Sequence, residues 1–202
     1  VTSIGSKAFY YCSRLTSFTI PDSVTSIDSS AFYNCSNLTS ITIPGSVTSI
    51  GENAFSCCRG LTSIVVVENN KVYHSFKNCL IETQSKTLIL GCRNSEIPSD
   101  GSVTSIGSSA FKDCSSLTSI TIPESVTSIG SSAFEDCMSL TSITIPESVT
   151  SIGALAFYNC SRLTSITIPD SVTSIGDCAF YYCSRLTSIT FEDTSTWYTT
   201  TN

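Results

Sequence analysis

Four letters, Val-Thr-Ser-Ile, open the chain at Val1 and return at Val24, Val47, Val103, Val126, Val149 and Val172. The step is 23 residues throughout, except for one 56-residue step from Val47 to Val103 that marks an enlarged unit. A fixed period of this length is the signature of a stacked repeat array. One such unit cannot bury its apolar residues alone, whereas stacked units share a continuous core and present a long regular face. Function is therefore expected on a face of the stack rather than in a pocket.

Within a unit the apolar letters follow L-x-x-[IF]-x-I-P-x-S-V-x-x-I-G-x-x-A-F-x-x-C, carried in one copy by Leu15, Phe18, Ile20, Val24, Ile27, Ala31, Phe32 and Cys35. Period-two alternation through Ser17-Phe18-Thr19-Ile20 predicts a strand with Phe18 and Ile20 inward and Ser17 and Thr19 outward. Pro21 ends it, having no N–H to continue a ladder. VTSI predicts a second, shorter extended piece. The glycine after it (Gly5, Gly51, Gly107, Gly130, Gly153, Gly176) suits a left-handed turn, with Asp28 a tolerable substitute. The following Ser-x-Ala-Phe-x-x-Cys has room for one or two helical turns behind a serine N-cap. Equivalent residues then stack about 4.8 Å apart, and Phe9, Phe32, Phe55, Phe111, Phe134, Phe157 and Phe180 form a buried row.

Residues 68–102 depart from the pattern. Cys79-Leu-Ile-Glu-Thr, Gln-Ser-Lys and Thr87-Leu-Ile-Leu-Gly read as a hairpin with a short polar turn. Counting back from Ile97-Pro98 puts Cys92 in the slot usually held by Leu, so 68–91 is an insertion carried by one coil. It serves either as a structural spacer or as a binding loop, with Tyr73, His74 and Phe76 the contact candidates.

A 23-residue unit built from LTSITIP, SVTSIG, AF and a Cys resembles the BspA-type leucine-rich repeats, named for a bacterial surface antigen. The resemblance covers nearly the whole chain. It implies an α/β-type, right-handed leucine-rich-repeat solenoid with a parallel sheet on its concave side, short helices or turns opposite and one inserted hairpin. The expected organisation is a single domain over 1–202, with regular units at 1–67 and 103–191, the enlarged unit at 68–102 and a tail at 192–202. The family's general form implies a surface-exposed, extracellular module that binds host or neighbouring-cell proteins or glycans. A spacer solenoid without its own ligand is the rival reading, favoured by the near-identity of the units.

Composition narrows the function classes. A formal charge of −6 with 13% charged residues denies a nucleic-acid role its electrostatic basis. No apolar run is long enough to cross a bilayer. The chain opens within a unit, as expected of a piece of something longer. Seven of the eleven cysteines (Cys12, Cys35, Cys58, Cys114, Cys137, Cys160, Cys183) share one slot. A ladder of parallel side chains does not bring sulfurs into bridging geometry, so these read as buried free thiols acting as small apolar residues. Cys79 and Cys92 could bridge across the hairpin, and Cys57 reads as incidental.

One histidine, His74, cannot supply a zinc cluster and reads as a solvated loop residue. No nucleophile elbow, phosphate loop or C-x-x-C pair is present, so neither an enzyme nor a cofactor is expected. Glu124, Glu147 and Asp170 follow the repeat proline in successive coils, as a solvated acidic row or a shared Ca²⁺ site. The largest organised polar feature is the outward hydroxyl row: Ser17 and Thr19, Ser40 and Thr42, Ser119 and Thr121, Ser142 and Thr144, Ser165 and Thr167, then Ser188 and Thr190. It reads either as cheap solvation of a sheet or as a low-charge docking surface for a protein or glycan.

Overall fold

The computed structural model describes residues 1–192, a β-solenoid of about 8 turns with parallel strands. Each VTSI segment supplies a two-residue strand. In the first run β1 (Ser3–Ile4), β2 (Ser26–Ile27) and β4 (Ser49–Ile50) pair in parallel. In the second, β9 (Ser105–Ile106), β10 (Ser128–Ile129), β11 (Ser151–Ile152) and β13 (Ser174–Ile175) do the same. Like letters partner like, Ser3 with Ser26 and Ile129 with Ile152. The LTSITI line is less regular: β3 (Ser40–Ile43) pairs with β5 (Ser63–Val66), β12 (Ser165–Ile168) with β14 (Ser188–Phe191), and a single bridge joins Ser119 to Ser142. The longest sheet thus lies on the VTSI line, not the LTSITI line. The proline closing each LTSITI segment leaves that line a donor short.

No helix occurs among the described residues, which corrects the expected α/β layering. The Ala-Phe segments are chains of turns in which every coil of both regular runs holds two residues left-handed, as at Ser30 and Asn34 (φ 58° each) or Ser132 and Asp136 (φ 55° and 59°). Backbone donors alternate as a result. In the first coil, Ala8 N–H and Tyr10 N–H close turns on Gly5 and Lys7, while Phe9 N–H and Tyr11 N–H reach forward to Ala31 and Tyr33 in the next coil. A helix would spend all its donors on itself, and at about 10 Å across it could not stack at the spacing seen here. The glycine slot is also corrected. Gly51, Gly130, Gly153 and Gly176 do not have positive φ; a Cβ on each would lie 2.3–2.7 Å from backbone nitrogen of the preceding coil.

Rows of phenylalanine rings fill the interior. Phe9, Phe32 and Phe55 stack at 5.0 and 5.2 Å, and Phe111, Phe134, Phe157 and Phe180 at 5.2, 5.3 and 5.4 Å. The thiols beside them do more than fill space. Cys35, Cys58, Cys137, Cys160 and Cys183 each donate S–H to the carbonyl of the preceding coil's Phe, at 3.1–3.3 Å. All eleven cysteines are free, Cys79 and Cys92 included.

The enlarged unit forms an antiparallel meander of β6 (Tyr73–Phe76), β7 (Cys79–Glu82) and β8 (Thr87–Leu90). β8 then pairs in parallel with β9, Thr87 opposite Ser105 and Leu88 opposite Ile106. The solenoid therefore resumes at Thr87, earlier than the Cys92 expected from counting. Gly91 takes the Phe slot: its N–H donates to Ala110 as a Phe's would, and a Cβ there would lie 2.0 Å from the Phe111 ring. The meander divides the interior. One buried cluster runs from Ile4 to Cys92 and includes Leu80 and Leu90; the other runs from Cys79 to Cys183 and includes Ile81 and Leu88. β7 is buried on both faces, as its continuous apolar run requires, so two cores meet at a shared wall where the repeat alone implies one.

Candidate functional site

The hydroxyl-bearing residues sort into two kinds. The first Thr of most LTSITI and VTSI segments braces neighbouring coils. Thr39 Oγ1 donates to Thr16 O at 3.2 Å and Thr141 Oγ1 to Thr118 O at 3.3 Å, while Thr127 Oγ1 reaches Thr104 O at 3.1 Å and Thr150 Oγ1 reaches Thr127 O at 3.2 Å. The outward pairs behave differently. Ser17, Thr19, Ser40, Thr42, Ser119, Thr121, Ser142, Thr144, Ser165 and Thr167 are all exposed, and none of their hydroxyls bonds to another described residue. Coil pairing keeps them in rows, as Ser165 with Ser188 and Thr167 with Thr190 show. In the third coil Val65 replaces Thr and is 44% exposed, with Val67 beside it.

Near the start of this face lies an open groove of about 370 Å³, lined by Ser17, Phe18, Thr19, Ser40, Thr42, Asp22 and Val67. It joins four hydroxyls, one carboxylate and an apolar wall. The Val67 departure is visible in the sequence, but its position at the groove follows only from the coil geometry. Gly45, which follows the repeat proline Pro44, makes room for Asn69: a Cβ there would lie 2.1 Å from Asn69 Oδ1.

The insertion candidates separate. Tyr73 is 5% exposed and its hydroxyl accepts the Ile50 N–H at 3.0 Å, so it is a core residue and not a contact residue. Its ring enters the first core because β6 alternates sides. His74 is half-buried in a strand rather than a loop, with Nδ1 2.8 Å from Thr83 Oγ1. Phe76 remains accessible at 40% exposure, with Lys77 Nζ 5.6 Å from its ring centroid.

Two electrostatic features complete the surface. Glu192 joins Glu124, Glu147 and Asp170, and the Glu147 pKa is raised, by partial desolvation first and then by Glu192, Asp170 and Glu124. Among the described residues no group of three or more His, Cys, Asp or Glu is placed to hold a metal ion. A carboxylate with a raised native pKa contributes stability that is full below its unfolded value and lost as pH rises through the native one. Glu147→Gln is therefore expected to raise the melting temperature at neutral pH and low salt. The gain should vanish below about pH 4 and shrink in about 1 M salt, where the Debye length is about 3 Å. Thermal melts across pH and salt check it.

The second feature bridges the enlarged unit. Cys57, far from incidental, is buried and donates S–H to Asp113 Oδ2 at 2.7 Å, while Arg59 pairs with Asp113 Oδ1. Burial and the Asp113 carboxylate push the Cys57 thiol up to about 12, and its contact with Cys57 raises Tyr33. A thiol held protonated is a poor nucleophile, so this cluster latches coils together.

The profile of the BspA type leucine rich repeat region matches residues 1–100 and 89–200, in six copies. No curated protein matches the chain. Among solved structures, a leucine rich cell surface protein from Faecalibacterium prausnitzii A2-165 shares 35% identity, with a TM-score of 0.72 over 96% of this chain and 58% of its own. The pneumococcal vaccine antigen PcpA shares 27%, with a TM-score of 0.83 over 96% and 49%. A leucine-rich repeat protein from Eubacterium ventriosum shares 26%, at 0.57 over 96% and 58%. The chain thus spans about half the length of these three. No helix among the described residues is long and apolar enough to cross a membrane.

Proposed function

The chain belongs to the BspA-type leucine-rich repeat family, and from that premise we propose that it is a non-catalytic binding module displayed at the cell surface, adhering to proteins of a host or neighbouring cell. The observation that carries this reading is the division of labour among hydroxyls. Those that brace the stack are spent on backbone carbonyls; the Ser-x-Thr rows are free for a ligand. A face with little charge and many small donors and acceptors suits a flat or extended protein surface. Similarity to a cell surface protein and to a vaccine antigen supports the location.

The test is immobilised protein probed with a panel of matrix proteins and glycans. Saturable binding is expected, and Thr121→Lys, Thr144→Lys and Thr167→Lys together should weaken it at least tenfold, about 1.4 kcal/mol. Such exposed substitutions should leave folding nearly unchanged. If binding persists in that variant and falls in Phe76→Ala, the meander is the contact. Complete absence of saturable binding would favour a spacer, the reading that the copied units support.

A further inference from the structure

The third coil is followed by an abbreviated one, and backbone bonding shows what that leaves open. Elsewhere a Phe N–H reaches an Ala carbonyl of the next coil, as Phe32 to Ala54 (2.7 Å) and Phe111 to Ala133 (2.7 Å). The N–H two residues earlier does likewise, Ser30 to Glu52 (2.9 Å) and Ser109 to Ser131 (2.9 Å). In the third coil the matching donors are Phe55 and Asn53. Neither bonds to any acceptor among the described residues, because the next coil offers only Leu90-Gly91 at this level. Both line a cleft of about 180 Å³, with Ile89 and Leu90 on its floor and Gly107 and Ser108 on the far wall. The Ser108 carbonyl occupies the slot that accepts in other coils, yet it receives no hydrogen bond from a described residue. Cys57, Asp113 and Arg59 tie the two walls together beside the cleft.

Donors on one wall and an acceptor on the other select for one kind of ligand. An anion would meet the Ser108 carbonyl unfavourably, and a cation would meet two N–H groups. A polypeptide main chain offers C=O on one edge and N–H on the other, as in strand addition to a sheet. The volume falls below the range that buries a whole small molecule, which limits the occupant to a short run with small side chains. We propose that this cleft binds an extended, small-residue peptide segment of a partner protein, through its main chain, at the level where a coil turn is missing. This site is separate from the hydroxyl face and does not depend on it.

The probe is an acetylated, amidated hexapeptide of alternating alanine and serine, extended in solution and free of large or charged side chains. Titrated into the ¹⁵N-labelled chain at millimolar concentration, it should shift the Asn53 and Phe55 amide resonances saturably and slow their exchange. Methylating two of its central amide nitrogens should weaken binding about tenfold, the loss of one or two hydrogen bonds. Ser108→Trp should block the cleft, while Thr144→Lys should leave the peptide's affinity unchanged. Unmoved Asn53 and Phe55 amides, or equal binding of the methylated peptide, overturns the proposal. Shifts at those amides that grow with protein concentration alone would show a second copy as occupant and overturn the assignment to a partner.

Discussion

Phe134→Ala is expected to remove about 3–5 kcal/mol of stability, the range for emptying a large aromatic from a packed interior. Phe134 is wholly buried between Phe111 and Phe157, at 5.2 and 5.3 Å and within 5° and 3° of parallel. The coils above and below are held by backbone bonds at fixed spacing, so they cannot close over the gap. Partial collapse is what lessens such losses elsewhere, and here the ladder prevents it. Phe180→Ala should do less harm, because Phe180 is only half-buried and stacks on one described ring, that of Phe157. Urea denaturation followed by far-UV circular dichroism measures both. A loss below about 1 kcal/mol at Phe134 would mean the stack contributes little beyond ordinary surface packing.

Asn70→Ala is expected to cost nearly as much, by a different route. This buried side chain gives two hydrogen bonds, to Pro44 O at 2.8 Å and Val47 O at 3.0 Å, and accepts two, from Val72 N–H at 2.9 Å and Tyr73 N–H at 2.8 Å. Pro44 O keeps a second donor in Val47 N–H, so three backbone groups would be stranded. At about 1–3 kcal/mol for each buried group left unmade, with some relaxation toward water, a loss of about 3–5 kcal/mol follows. Asn70→Asp separates the two halves of the residue. It keeps an acceptor for Val72 and Tyr73 but turns a carboxylate toward two carbonyls. Its deficit should shrink on acidification, as a protonated carboxyl regains one donor. Denaturation midpoints at pH 4 and pH 7, with amide exchange at Val72 and Tyr73, report the result.

The parts of this fold legible in the letters are those where identical residues recur at constant spacing. Phe111, Phe134 and Phe157 have one way to meet if coils stack, and they meet that way. The antiparallel pair on either side of Gln84-Ser85-Lys86 is legible for the same local reason, two apolar runs around a polar turn. The Ala-Phe turns are not. Ser-Ser-Ala-Phe favours a helix locally, but the stack needs every second N–H sent forward. Asn34, Asp113, Asp136 and Asn159 are the residues that tolerate left-handed backbone best and carry a faint signal of this. Tyr11, Leu155 and Cys178 in the same conformation mask it. β6 is weakly patterned, and the reach of Tyr73 to Ile50 joins residues 23 apart across the irregular unit, which no local rule anticipates. At the candidate site the rows of outward Ser and Thr can be read directly. Which hydroxyls are consumed by bracing depends on a one-residue offset in direction, set by how one coil seats on the next.

The meander between the two runs has a consequence for how such a chain can lengthen. Each side owns its interior, and the strands between them present one finished surface to either neighbour. Duplicating a 23-residue stretch on the far side would leave every contact on the near side untouched. The length of the stack can therefore drift in steps of one coil, while the meander keeps its own geometry through every change of length.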